Sequence, residues 1–245
     1  MKRGNNRKDN SSENPFSLSI GDLMAGVMFI FVLLLASTML DIQEKAEADA
    51  EIAGRYNGIK VNLHHELDEQ FKNELDKWNA SIDPTELSVR FTTNEESSIQ
   101  ESGIKVSYFK TDQTEPSPEF LRILDEFFPT FLNIVSDPKF IDSIEEIRIE
   151  GHTDSDGSYM HNIELSQGRA RHVLDYCLKI ADRDSVRHNQ IENIRNKITA
   201  NGLSYSHPIL NEDGTENKDK SRRVEFKIRT NAEEQLEEIA KIRLE

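Results

Sequence analysis

Ile144-Glu145-Glu146-Ile147-Arg148-Ile149-Glu150-Gly151-His152-Thr153-Asp154, followed by Asn162-Ile163-Glu164-Leu165-Ser166-Gln167-Gly168-Arg169-Ala170-Arg171, decides the fold. In the first stretch Ile147 and Ile149 alternate with charged residues, the period of a half-buried strand. A loop follows, and then a helix predicted from about Asn162 to Ala181 that buries Leu165, Ala170, Val173, Leu174 and Cys177. An acid thus ends a strand, and an arginine follows on the next helix. Fifteen residues separate Asp154 from Arg169, enough to cross one loop and two helical turns and bring both to one pocket. Taken singly, an aspartate after a strand caps a turn and a helical arginine is solvated.

Working outward, Leu87-Val89-Phe91 and Ile104-Val106-Tyr108 alternate as two short strands, within 86–93 and 103–109, with a polar loop from Asn94 to Ser102 between them. Pro116-Ser117-Pro118-Glu119 opens a helix carrying Phe120, Leu124, Phe127, Phe128 and Phe131, which Pro129 kinks or splits. Ile191 to Ile198 continues as helix, and Ile198 to Leu203 leads into another strand. Arg222-Arg223-Val224-Glu225-Phe226-Lys227-Ile228-Arg229 alternates as the last strand, before a short charged helix over 231–245.

The ordered set of a strand, Gly-His-Thr-Asp, Asn-x-x-Leu-Ser-x-x-Arg-Ala and a closing Arg-Arg-Val-Glu resembles the OmpA-like peptidoglycan-binding domains over about residues 86–230. The resemblance implies an α+β fold with a βαβαβ domain, and non-covalent attachment to the diaminopimelate stem of peptidoglycan. The free end of that stem carries an ammonium and a carboxylate on one centre. Asp154 offers a carboxylate to the ammonium, and Arg169 a planar fork to the carboxylate. Backbone N–H groups at the helix start near Asn162 add donors. Asn162 shapes the loop or donates, while Thr153 and Leu165 line the pocket. His161 stands where the family often has an aromatic residue. Arg222 braces the fold or rims the pocket, and His152 reads as structural. The segment Asn211 to Ser221 is unusually polar.

The N-terminal end carries the second signal. Phe16 to Leu40, 25 residues, reaches across a hydrocarbon layer of about 30 Å at about 1.5 Å per residue. The apolar stretch Leu23 to Leu40 is too long for a cleaved signal's centre, and an aspartate sits at its entrance, so it reads as a retained anchor. Lys2, Arg3, Arg7 and Lys8 precede it and Asp41, Glu44, Glu47, Asp49 and Glu51 follow, which predicts an inside N-terminus. Asp22 sits at its entrance, beside the small residues Gly21, Ala25 and Gly26 that let helices approach closely. A carboxylate at that depth takes a proton, finds a partner or handles ions.

Gly21-Asp22-Leu23-Met24-Ala25-Gly26-Val27-Met28-Phe29, with the order basic tail, acidic span, linker and OmpA-like domain, resembles MotB-type stator subunits. Among these it looks most like the MotB-like ZorB subunits of the Zorya antiphage defence system. The resemblance implies Asp22 as the ion-carrying carboxylate of a single-pass inner-membrane protein with a periplasmic domain. It also implies a homodimer inside a ring of a polytopic MotA- or ZorA-like partner, indirect action on cytoplasmic defence effectors, and protons or sodium ions as the translocated species, with no other cofactor. A flagellar MotB-type stator subunit, a passive membrane-to-wall tether and an energiser of outer-membrane processes stay open beside it. The domains divide as tail 1–15, transmembrane helix 16–40, helical linker 41–85, OmpA-like domain 86–230 and C-terminal helical tail 231–245.

Within the linker, Ile52, Tyr56, Ile59, Leu63, Leu67, Phe71, Leu75 and Trp78 recur at spacings of three or four. This stripe needs a cover, either the chain's own domain or a second copy in parallel. Gly54 and Gly58 suggest a break, and Pro84 closes the segment. A net charge of −15 argues against a nucleic-acid surface. Cys177 is the only cysteine, so no intrachain disulfide exists, and it reads as a buried thiol. No enzyme constellation is present: no phosphate-binding loop, no His-Glu-x-x-His, and no base in an activating motif near Ser166. His64 and His65 are adjacent and cannot share a helical ligand face.

Overall fold

The computed structural model describes residues 15–92 and 108–231. The expected tail 1–14, the loop from Asn94 to Ser102, the strand around Ile104 and Val106, and the C-terminal helix beyond 231 lie outside the described residues. The chain divides into two compact units, Met1–Ile52 and Ala53–Glu245.

Helix α1 spans Pro15–Phe71 and continues through Gly54 and Gly58 without the expected break. In the first unit, Gly21–Glu47 is long and apolar enough to cross a membrane. Its apolar side chains from Leu23 to Leu35 are all exposed, and Asp22 is exposed with them. A helix apolar on every side needs lipid or partner helices around it. Thr38 donates its hydroxyl to Leu35 O at 2.9 Å, so this polar group within the apolar stretch is satisfied inside the helix.

Among the described residues of the second unit, five strands form one sheet, β1 (Ala80–Asp83), β2 (Ser88–Thr92), β3 (Ile144–His152), β4 (Ile198–Gly202) and β5 (Arg223–Thr230), in the order β1-β2-β5-β3-β4. β3 and β4 are parallel, joined over one face by α3 (Tyr159–Ala181) and α4 (Ser185–Ile194). β5 inserts antiparallel between β2 and β3. α2 (Pro118–Val135) packs with α3. Ser117 caps α2 by accepting from Phe120 N at 3.1 Å, Pro118 takes the first turn, and the helix runs on through Pro129 rather than splitting.

The core lies between the sheet and these helices. Phe127 of α2 centres an aromatic cluster, 4.9 Å from Phe91 of β2, 4.9 Å from Phe226 of β5 and 5.0 Å from Phe71 of α1. Leu63, Leu67, Phe71 and Trp78 are buried in this core, which answers the question of the linker stripe for those four residues: the chain's own domain covers them. The helix also stops at Phe71, short of the expected 83. Ala80–Asp83 forms edge strand β1, and Asp83 Oδ1 accepts from Thr85 N and Glu86 N to turn the chain into β2. Four residues with little alternation gave that strand no sequence signal.

Candidate functional site

Two glycines set the geometry. Gly151 of β3 faces Gly202 of β4 in register. A Cβ on Gly151 would collide with the Ser166 carbonyl, and one on Gly202 with the Gln167 backbone. Their bare backbones let α3 lie close on the strand ends. Gln167 then bridges β4 by donating to Ala200 O at 3.1 Å and accepting from Gly202 N at 2.8 Å. Ser166 Oγ accepts from Ser204 N at 3.0 Å. This contact fixes the rotation of α3 and with it the direction of Asn162, Leu165 and Arg169.

The result is a cleft of about 430 Å³ at the C-terminal end of β3. Thr153, Asp154, His161, Asn162, Leu165 and Arg169, the six residues singled out from the motif, all line it. Asn162 ties the β3–α3 loop together, donating to Asp156 O at 2.7 Å and Asp154 O at 3.5 Å. Asp154 is buried; its Oδ1 accepts from Asp156 N at 3.1 Å and its Oδ2 from Arg222 Nη1. Arg222 Nη2 holds Asp219 as well.

Arg169 is 8% exposed, donates from Nε to Gln113 O at 3.0 Å, and lays its guanidinium 4.9 Å from the centre of the Phe109 ring. Burial pulls its pKa down to about 10, against the opposing charges of Asp112 and Asp154 and with a further push from Arg222. It remains a cation at neutral pH. His161 Nε2 lies 3.2 Å from Asp112 Oδ1 at the exposed rim.

Of the helix-start donors expected near Asn162, the amides of His161 and Asn162 itself are not available to a ligand. α3 begins at Tyr159, three residues early, and Ser158 caps it. His161 N donates to Ser158 Oγ and Asn162 N to Ser158 O, so both amides are already used. Conversely, Thr111 and Asp112 line the cleft without having been singled out, because they reach it from a loop that carries no motif. The polar segment Asn211 to Ser221 also acquires a role. Glu216 Oε2 accepts from Ser155 Oγ at 2.6 Å, and Lys218 Nζ reaches Asp156 Oδ1 at 2.6 Å, strapping the site loop to the segment before β5.

The arrangement suits a zwitterion: one buried carboxylate, one buried guanidinium, and few apolar contacts beyond Leu165. His152 lies elsewhere, in a hollow on the other face of the sheet with Glu150 and Glu225.

The model of the OmpA family matches residues 108–222. A Zorya protein ZorB of Escherichia coli (strain Crooks) is 36% identical over 241 residues, covering 95% of this chain and 94% of that protein. A second Zorya protein ZorB, from Escherichia coli O139:H28 (strain E24377A), is 26% identical over 91% of this chain and 83% of its own length. Among solved structures, a MotB-like protein from Desulfovibrio vulgaris is similar at a TM-score of 0.43 and 21% identity, covering 74% of this chain and 97% of that one.

Proposed function

The chain belongs to the ZorB family of Zorya proteins, with an OmpA-family domain, and on that premise we propose that it is the wall-anchored subunit of an ion-driven inner-membrane motor in antiphage defence. The observation that carries this reading is the pairing of two features on one chain. Asp22 stands on a helix apolar on every side, and the second unit carries a cleft that sets Asp154 beside Arg169.

The tail 1–15 lies in the cytoplasm, 16–40 spans the membrane, and the chain from 41 onward, linker and OmpA-like domain, stands in the periplasm. Two copies of the spanning helix sit inside a ring of a polytopic MotA- or ZorA-like subunit, which covers the apolar surface that the helix alone exposes. Asp22 takes a proton from the outer side and releases it inward, each transfer yielding about 2.3 kcal/mol per 100 mV. The change of charge alters which partner surface the helix prefers, and the ring steps around the dimer. The cleft holds the diaminopimelate stem of the wall, its ammonium on Asp154 and its carboxylate on Arg169. Fixed in this way, the dimer is the part against which the partner turns, and the partner's cytoplasmic portion passes the motion to defence effectors.

Asp22→Asn tests the motor. The side chain keeps its shape and loses its proton cycle. Phage plaquing should rise to the level of a strain lacking the gene, while assembly with the partner and pelleting with peptidoglycan stay at wild-type levels. Full protection from phage by the Asp22→Asn strain would leave only a tether.

A further inference from the structure

The face of the sheet turned away from α2 and α3 holds a buried ionic cluster that wall binding does not use. Glu150 and His152 of β3 and Arg223 and Glu225 of β5 are each 5% exposed or less. Segment 203–210 lies over them: Thr153 N donates to Ser204 O at 2.9 Å, and Arg223 Nη1 to His207 O at 3.2 Å. The His207 ring stands edge-on to His152, 6.4 Å between centroids. Arg223 Nε holds Glu225 Oε1, and Arg90 Nε of β2 reaches the same oxygen at 3.1 Å while pairing with Asp83 at 2.6 Å. Arg148 Nη1 is 3.8 Å from Glu150 Oε1.

His152 is the anomaly in this cluster. Its Nε2 lies 3.6 Å from Glu150 Oε2 and 3.8 Å from Glu225 Oε1, and neither ring nitrogen has a hydrogen-bond partner among the described residues. Buried polar groups are rarely left so. The place between the two carboxylates can take one positive charge, against the cost of the ring's burial and of Arg223 beside it. A divalent ion fits it badly, since Glu225 Oε1 already accepts from two guanidiniums and Arg148 attends Glu150. A proton on the ring needs only Glu150 Oε2 to draw in.

We propose that this cluster is a buried proton site with His152 as its acceptor, and that filling it weakens the grip of the Asp154 cleft. The link is short. His152 pairs with Arg223 across the β3–β5 ladder, and the residues just beyond that pair, Asp154 and Arg222, hold each other in the cleft. The link to binding rests on the wall-anchoring reading; the proton site itself does not.

The sign follows from the surroundings. Burial pushes the imidazole below its ordinary value; Glu150 pulls it up, Arg223 pushes it further down, and Glu225 pulls it up, with a net lowering. Burial raises Glu225, but Arg223, His152 and Arg90 reverse this and hold it at about 2, so it stays ionised while His152 titrates. The unfolded chain takes its histidine proton near the ordinary value of about 6.5, before the folded chain does. Stability is therefore complete above that value and is lost as pH falls through it toward the folded value.

The test melts the full-length protein in detergent between about pH 7.5 and about pH 5.5. The wild-type melting temperature should fall on acidification, the fall should largely vanish in His152→Gln, and His207→Gln should keep it. Wild-type pelleting with peptidoglycan should drop several-fold over the same interval and hold steady in His152→Gln. Equal slopes for wild type and His152→Gln would overturn the proposal. Should that variant not fold, the ring resonances of histidine-labelled wild type decide: a His152 midpoint below about 6.5 supports the site, and one at or above it overturns it. Wild type that pellets at no pH would remove the wall-anchoring reading and leave the melting curves to judge the proton site.

Discussion

Arg222, the residue before β5, donates from Nη1 to Oδ2 of Asp154, joining two side chains that are only 12% and 10% exposed. The carboxylate best placed for a ligand's ammonium thus already carries a guanidinium. Its other oxygen accepts from Asp156 N. Each carboxylate oxygen has room for a second donor, so an incoming ammonium adds to these bonds and need not break them. The internal pair keeps Asp154 aimed while the cleft is empty.

Altering either recognition group should therefore cost binding. Asp154→Asn keeps the shape but loses the attraction for an ammonium. Arg169→Lys keeps a charge but loses the planar fork above Phe109. Each should reduce pelleting with purified peptidoglycan about tenfold or more, as expected when about 1.4 kcal/mol or more of interaction is lost. Arg222→Ala acts differently: it strands a buried carboxylate, which costs about 3–5 kcal/mol and shows as a lower melting temperature. Pelleting at wild-type strength by both recognition variants would remove the binding assignment.

The glycine pair under α3 gives a second expectation. Gly151→Ala drives a methyl into the Ser166 carbonyl, and neither backbone can yield cheaply. Overpacking of this kind costs about 1–3 kcal/mol and displaces α3, so both melting temperature and pelleting should fall. Gly54→Ala is the contrast. It adds a methyl to open space on α1 and raises helix propensity by up to about 1 kcal/mol. A Gly151→Ala protein as stable as wild type would show that α3 does not depend on this close approach.

The site was more legible than its supports. Asp154, Arg169 and Asn162 belong to motifs whose spacing is fixed by one loop and one helix, so the sequence placed them together. Asp112 reaches the cleft from a loop with no periodicity and no fixed residue types, and only the folded chain brings it beside His161. The grip of Arg222 on Asp154 spans 68 residues and depends on β5 inserting next to β3, a strand order that alternation cannot reveal. At the front of the domain, the apolar stripe of the linker was visible but its cover was not. Periodicity says that a face is buried and is silent about what buries it. Edge strand β1 was lost for a related reason: Ala80–Asp83 follows Trp78 at a spacing that reads as one more helical turn.

That stripe sets the boundary at which the second unit can be cut. Leu63, Leu67 and Phe71 are 0–2% exposed, and burying each contributes about 1.5–3 kcal/mol. Together they amount to a large share of the roughly 5–15 kcal/mol by which a domain is stable. Ala80–Asp83 adds the strand that covers the outer side of β2. A fragment beginning at Pro84, where the linker was expected to end, exposes Phe127 and Phe91 on one side and leaves β2 as a bare edge. It should aggregate or melt without a cooperative transition. A fragment beginning at Ala53 retains all of these contacts and should melt cooperatively and pellet with peptidoglycan. Equal melting temperatures for the two fragments, measured side by side by circular dichroism, would show that the end of α1 packs on the domain without holding it together.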